Sequence, residues 1–340
     1  MFAVKSSIPS PYLGLKASKK RTISIVICSG AQCLDIAGPA EVFSFANKQM
    51  ADFGYGENQL YNIEFLAASK EPRQVTAGLK VHPDKCFYEA DSIHTLLVGG
   101  GTAKSCLDLT DDSQFLDWLK AKAKEVERIG VSGSGTLVLA EAGILSGHRA
   151  TTHEKYIGDL KKYENIEVDE KAIFVKDKKI YSSVGRSAGI DLALAMVEED
   201  FGRKLALLVA REMILYLKRD GDQSQYSSYL QAQLKNNRFS PLLEWINLNL
   251  EKSLSVDFLA KKQAMSPRNF SRCFTSEIGV TPARYLEQVR VEKACQLILE
   301  AGISQDVVAT QCGFSSQEQM RRAFLRQKGI LPSKYRKQFA

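Results

Sequence analysis

The sequence predicts two folded parts: an α/β domain with a mostly parallel sheet, followed by an all-α domain that uses one helical unit twice. Three observations carry this. Over about 200 residues, β-branched apolar runs alternate with stretches of helical spacing, the pattern of a sheet covered by helices on both faces. The last third then repeats itself fifty residues apart: Phe270, Phe274, Gly279, Pro282 and Tyr285 recur as Met320, Phe324, Gly329, Pro332 and Tyr335. Charge separates the same two parts. From Phe239 onward there are 15 Lys+Arg against 9 Asp+Glu, a net of +6, which leaves only +1 of the total +7 for everything before it.

Taken in order, residues 1–20 read as a flexible tail, without the apolar core of a secretion signal. Residues 22–28 form a β-branched run suited to a buried parallel strand. A helix is expected over 36–48, beginning near Gly38-Pro39 with proline in its first turn. Further strands are expected at 62–68, 93–98 and 126–131. Helices are expected over 112–124, where Phe115, Leu116, Leu119 and Ala123 share a face, and at 136–142, 153–163 and 188–218. This α/β part spans 21–219, and the polar stretch 220–238 reads as a linker before the domain at 239–340.

The length of 340 residues suits two or three domains, and 44% hydrophobic with 25% charged residues is ordinary for a soluble globular chain. No apolar run approaches a membrane span. The seven cysteines (28, 33, 86, 106, 273, 295 and 312) are odd in number, scattered and without a C-x-x-C pair. That favours reduced thiols in a cytoplasm over a disulfide framework or a zinc site.

In the repeat, Ser255 caps a helix through Leu259-Ala260, a turn follows at Ala264-Met265, and Ser266-Pro267 opens a second helix. Phe270 and Phe274 face inward, leaving Arg268, Ser271 and Arg272 outward. The second copy has Ser304 as cap, Val307-Val308-Ala309 packing, a turn at Cys312-Gly313-Phe314 and Ser316 capping the next helix. There Met320 and Phe324 face inward while Gln317, Glu318, Gln319, Arg321 and Arg322 are outward and free. This is helix-turn-helix geometry, whose second helix enters a major groove, and Arg and Gln are the side chains that bond guanine and adenine edges bidentately. The plain structural alternative is a pair of helical hairpins with a solvated basic face.

Residues 239–340 resemble the AraC/XylS-type transcription regulator domain. The motifs are Val308-Ala309, Gly313-Phe314-Ser315-Ser316, Met320-Arg321-Arg322-Ala323-Phe324, Gly329-Ile330-Leu331-Pro332-Ser333 and Tyr335-Arg336. Met320 and Leu331 depart from that family's usual residues. The resemblance implies two recognition helices in successive major-groove faces of double-stranded DNA, spaced by a helix near Arg284 to Leu299.

Residues 22–200 resemble the class I glutamine amidotransferase-like (PfpI-type) superfamily. The marks are Asp35-Ile36-Ala37-Gly38-Pro39-Ala40-Glu41-Val42-Phe43, Leu97-Val98-Gly99-Gly100-Gly101 and the stretch from Ser134-Gly135 to His153. This resemblance implies a flavodoxin-like parallel sheet. It also implies a cysteine on a strained strand-to-helix turn, at the position where this chain has Gly133, so the central nucleophile is missing. Ser132 and Ser134 do not sit in G-x-S-x-G, Ser134 reads as a helix cap, and Cys106 reads as a buried thiol. His153 matches the catalytic-histidine region but is usually structural when alone. Glu41 is either a helix-face carboxylate or a group aimed into the former active site.

Together these readings describe a cytoplasmic transcription regulator, an activator and homodimer, without catalytic residues, cofactor or metal. Its crevice is lined by Glu41, Gly100, Gly101, Gly133, Ser134 and His153, and the resemblance implies that it senses a small nitrogen-containing metabolite such as an amino acid or quaternary amine. Two alternatives stay open: a dimerisation scaffold with an empty crevice, and a residual amidase or glyoxalase tethered to DNA.

Overall fold

In the computed structural model, which describes residues 20–51, 60–101, 111–215, 238–298 and 302–339, the first apolar run becomes β1 (Arg21–Val26). The chain divides into two units, Met1–Gln225 and Tyr226–Ala340. The expected tail to residue 19, Cys106 and nearly all of the expected linker lie outside the described residues.

The first unit alternates strand and helix. After β1 come α1 (Cys33–Met50), β2 (Tyr61–Ala67), the small pair β3 (Arg73–Gln74) and β4 (Lys80–Val81), β5 (Lys85–Cys86) and β6 (Thr95–Val98). Then follow α2 (Ser113–Glu125), β7 (Arg128–Ser132), α3 (Gly135–Glu141), β8 (His148–Ala150), α4 (Ile157–Leu160) and β9 (Ile166–Val168). The unit closes with β10 (Phe174–Asp177), β11 (Ile180–Ser183), α5 (Ala188–Phe201) and α6 (Arg203–Glu212). Seven strands form one sheet in the order β10-β11-β7-β6-β1-β2-β5, parallel except where β10 runs antiparallel to β11. β8 and β9 pair separately.

Side chains alternate across β1, so Ile23 and Ile25 join one core with Phe43 of α1 and Met196 of α5. Val26 joins the other, with Phe115 and Leu119 of α2 and Val138 of α3. Helices therefore cover both faces. At the strand starts a buried ion network replaces apolar packing. Arg128 of β7 gives two hydrogen bonds to Asp200 (Nη1 at 3.0 Å, Nη2 at 2.5 Å), and Tyr61 donates to the same carboxylate at 2.7 Å.

Several expected elements differ. α1 starts at Cys33, so Pro39 lies inside it rather than in its first turn. The helix continues through because α1 is clamped against α5: a side-chain carbon on Gly38 would sit 2.9 Å from Ile190 Cγ1. The single helix expected over 153–163 is a short turn at 154–156 followed by α4. The long helix expected from 188 is broken in two by Gly202, whose φ of +86° no helix contains; residues 216–218 lie outside the described residues. The hairpin β10-β11 was not expected, since each strand is four residues long and carries little periodicity.

The second unit is all helical: α7 (Ser240–Asn247), α8 (Val256–Lys262), α9 (Pro267–Ile278), α10 (Pro282–Ile298), α11 (Gln305–Gln311), α12 (Gln317–Lys328) and α13 (Pro332–Phe339). It holds two small cores. One gathers Phe239, Leu259, Phe270, Phe274 and Tyr285; the other gathers Val308, Ala309, Met320, Phe324 and Tyr335. Corresponding residues of the repeat thus fill corresponding places. The expected caps form: Ser255, Ser266, Ser304 and Ser316 each accept from a backbone N–H three residues on. Gly279 and Gly329 end the second helix of each unit in the left-handed region. Val307 departs from expectation, since it is 45% exposed and does not pack.

Candidate functional sites

The turn between β7 and α3 keeps the strained conformation that suits a nucleophile. Gly133 has φ +54°, donates its N–H to Ser183 O at 2.8 Å and accepts at its carbonyl from Thr152 Oγ1 at 2.7 Å. A Cβ placed there would lie 3.4 Å from Asp35 Oδ2, an ordinary contact. Asp35 stands at the meeting point of three backbone segments. The Arg186 N–H donates to its Oδ1, the Gly100 N–H donates to the same carboxyl, and its Oδ2 would be 3.1 Å from a Cβ on Gly185. Burial dominates these two hydrogen bonds and pushes its pKa up to about 6.

Of the residues expected to line this crevice, Gly100 and Gly133 meet around Asp35. Glu41 does not: it is exposed on α1, since six residues along a helix turn it about 120° away from Asp35. Asp35 is the carboxylate that the sequence reading missed, although it stands in the same motif. Ser134 occupies the N-cap position of α3 as expected, but its side chain makes no capping hydrogen bond. Its hydroxyl donates to Gly101 O and accepts from Gly101 N–H, both at 2.9 Å, so the Gly101 amide already has a partner. His153 is half-buried and caps the following turn by accepting from Lys155 N–H at Nδ1 (3.2 Å). Burial, with the nearby Arg186 charge, holds its pKa below the usual value. A cavity of about 10 Å³ lies behind the turn, between Asp35, Ser132, Pro39 and the apolar side chains of α5. Such a space holds about one water.

In the second unit, α9 presents Arg268 and Arg272 to solvent, with Ser271 half-buried between them. Arg272 Nη2 donates to Asn269 Oδ1 at 3.1 Å, and among the described residues neither arginine makes an ion pair. On α12, Gln317, Glu318, Gln319, Arg321 and Arg322 are all exposed, but they are not free as expected. Glu318 accepts from Arg321 Nε at 2.6 Å and Nη2 at 2.9 Å, and from Arg322 Nε at 2.8 Å. The two guanidiniums hold its carboxyl at about 2. Gln319 Oε1 accepts from Ser315 N–H at 2.7 Å, and Gln317 donates to Gln305 at 2.9 Å. The i, i+3 and i, i+4 spacing of Glu318 to the arginines was the signal in the sequence for this clamp.

Both helices are second helices of helix-turn-helix units, with their N-termini capped and their polar residues outward, as groove-reading helices need. Among the described residues, no helix is long and apolar enough to cross a membrane.

Comparison with known proteins agrees with this division. The DJ-1/PfpI family model matches residues 21–199, and a helix-turn-helix domain model matches residues 259–338. The chain is 25% identical over 316 residues to the HTH-type transcriptional regulator GbdR of Pseudomonas aeruginosa, covering 92% of this chain and 83% of that one. It is 28% identical over 193 residues to an isonitrile hydratase of Pseudomonas putida, covering 56% of this chain and 77% of the enzyme. A ThiJ/PfpI family protein from Pseudomonas syringae superposes with a TM-score of 0.55 at 21% identity, over 72% of this chain and 93% of that one, which speaks for the fold. The chain belongs to the DJ-1/PfpI family, in the architecture that joins this domain to an AraC-type helix-turn-helix domain.

Proposed function

We propose that this protein is a sequence-specific, duplex-DNA-binding transcription regulator, acting as an activator and homodimer, whose DJ-1/PfpI domain senses a small effector without catalysing a reaction on it. One observation carries the DNA-binding half: two capped units on a common framework present Arg268 and Arg272 on one helix and Arg321 and Arg322 on the other. The test is binding of the full chain to duplexes selected from a randomised pool. Affinity should fall steeply and linearly in log salt as Lys and Arg displace condensed cations from phosphate. Absence of salt-dependent binding to any duplex would end this reading.

Glycine at position 133 supports the sensing half, because no side-chain nucleophile stands on the strained turn. For the effector we propose a small nitrogen-containing metabolite such as an amino acid or quaternary amine, the class that the family resemblance implies; Gly100 and Gly133, which meet around the buried Asp35, mark the crevice. The isonitrile hydratase relative keeps an enzyme reading in play. Turnover of an amide, glyoxal or isonitrile panel that disappears in Ser134→Ala or His153→Ala would replace the sensing half by that reading.

A further inference from the structure

The two recognition helices carry opposite charge at the same place. In the fifty-residue register Arg268 corresponds to Glu318, Ser271 to Arg321 and Arg272 to Arg322. Unit one therefore presents two arginines without an ionic partner among the described residues. Unit two presents two arginines already bound by one carboxylate, through three hydrogen bonds of 2.6 to 2.9 Å. We infer that Glu318 is a specificity-determining residue: it holds Arg321 and Arg322 back from backbone phosphate and releases them only where the groove offers its carboxylate a donor, the cytosine N4 amino group. This rests on the DNA-binding reading above.

The chemistry distinguishes the two kinds of site. A carboxylate bound bidentately to a guanidinium occupies the same fork that a phosphate would take. Exchanging it for phosphate replaces one anion by another and leaves Glu318 unpaired beside a second negative group, so random DNA gains little from these arginines. A G·C pair differs, because guanine O6 and N7 accept from an arginine while cytosine N4 donates to a carboxylate. Both halves of the broken clamp then find partners. Unit one has no such control and binds through Arg268 and Arg272 without it. The recognition helix is also held from behind by Arg326 and Gln327, which donate to Glu287 of α10, so releasing the clamp does not require α12 to move.

The experiment compares the full-length protein with Glu318→Gln and with the control Glu244→Gln, which removes the same charge at an exposed position of α7 away from the clamp. Each is titrated with a random-sequence duplex and with duplexes selected by the unmodified protein from a randomised pool. Glu318→Gln should bind the random duplex at least about tenfold more tightly and steepen its log-salt slope by about two units, as Arg321 and Arg322 each neutralise a further phosphate. Its discrimination between selected and random duplex should fall, with the cytosine preference lost at the base pair read by unit two. An unchanged ratio, or an equal gain in Glu244→Gln, overturns the inference and leaves DNA binding standing. Failure of the unmodified protein to bind any duplex overturns the DNA-binding reading itself.

Discussion

Ala264 and Gly313 occupy the same turn of the two helix-turn-helix units, and both are left-handed, with φ +52° and +75°. Swapping their identities should give unequal results. At 264 the turn is exposed, so Ala264→Gly removes about 1–2 kcal/mol of left-handed strain and loses about 0.4–1 kcal/mol to the freer unfolded chain. The net is a gain of roughly 0.5–1 kcal/mol. At 313 the reverse change meets a wall. A Cβ there would lie 2.9 Å from the Leu250 carbonyl carbon and closer still to its oxygen, with Arg290 Nε at 3.0 Å. Leu250 is core backbone, and Arg290 donates to Lys252 O beside it, so neither yields easily. Strain net of the unfolded-state effect, about 1 kcal/mol, plus about 1–3 kcal/mol of overpacking gives a loss of roughly 2–4 kcal/mol. The assay is urea unfolding followed by Trp245 fluorescence in a Trp118→Phe background, since these are the two tryptophans of the chain. If Gly313→Ala costs no more than about 1 kcal/mol, strain alone accounts for it and the Leu250 carbonyl is not the reason for glycine.

Two further outcomes follow from buried charge. The folded-state pKa of Asp35 is raised to about 6, so ionising it opposes folding; the penalty is absent below about pH 4 and complete above about pH 6, at up to about 3 kcal/mol. Asp35→Asn should therefore gain stability over the parent as pH rises through that window, and parallel urea-unfolding midpoints from about pH 4 to pH 8 would refute the assignment. Asp200→Ala strands the Arg128 guanidinium, whose side chain is 6% exposed, and should destabilise by about 3–5 kcal/mol in thermal melts. A loss below about 1 kcal/mol would mean that water reaches Arg128 and replaces the carboxylate.

Much of the second unit was legible because its decisive interactions are local. A serine hydroxyl reaching an N–H three residues on, and a glycine ending a helix, depend on short stretches of chain, so Ser255, Ser266, Ser304 and Ser316 could be read directly. The strands of the first unit were legible where they were long and apolar. β10 and β11 were not, because four-residue strands take their identity from pairing with β7 and with each other. Glu41 was named for the crevice and Asp35 was not, because a linear motif does not say which side of α1 meets the sheet. Arg321 and Arg322 were read as free because outward-facing charges were counted singly and not as i, i+3 and i, i+4 partners of Glu318.

The sequence by itself determined a parallel-sheet domain followed by a doubled helical unit with its caps, and the concentration of positive charge in that unit. These follow from residue identity, periodicity and contacts within one helical turn. Only the tertiary structure decided that Asp35 is the carboxyl beside Gly133, since residues 35, 100, 133 and 186 converge solely through the sheet crossovers. It also decided why one copy of a turn accepts alanine and the other requires glycine. The reason is a backbone carbonyl from Leu250, distant in sequence, occupying the space where a methyl group would stand.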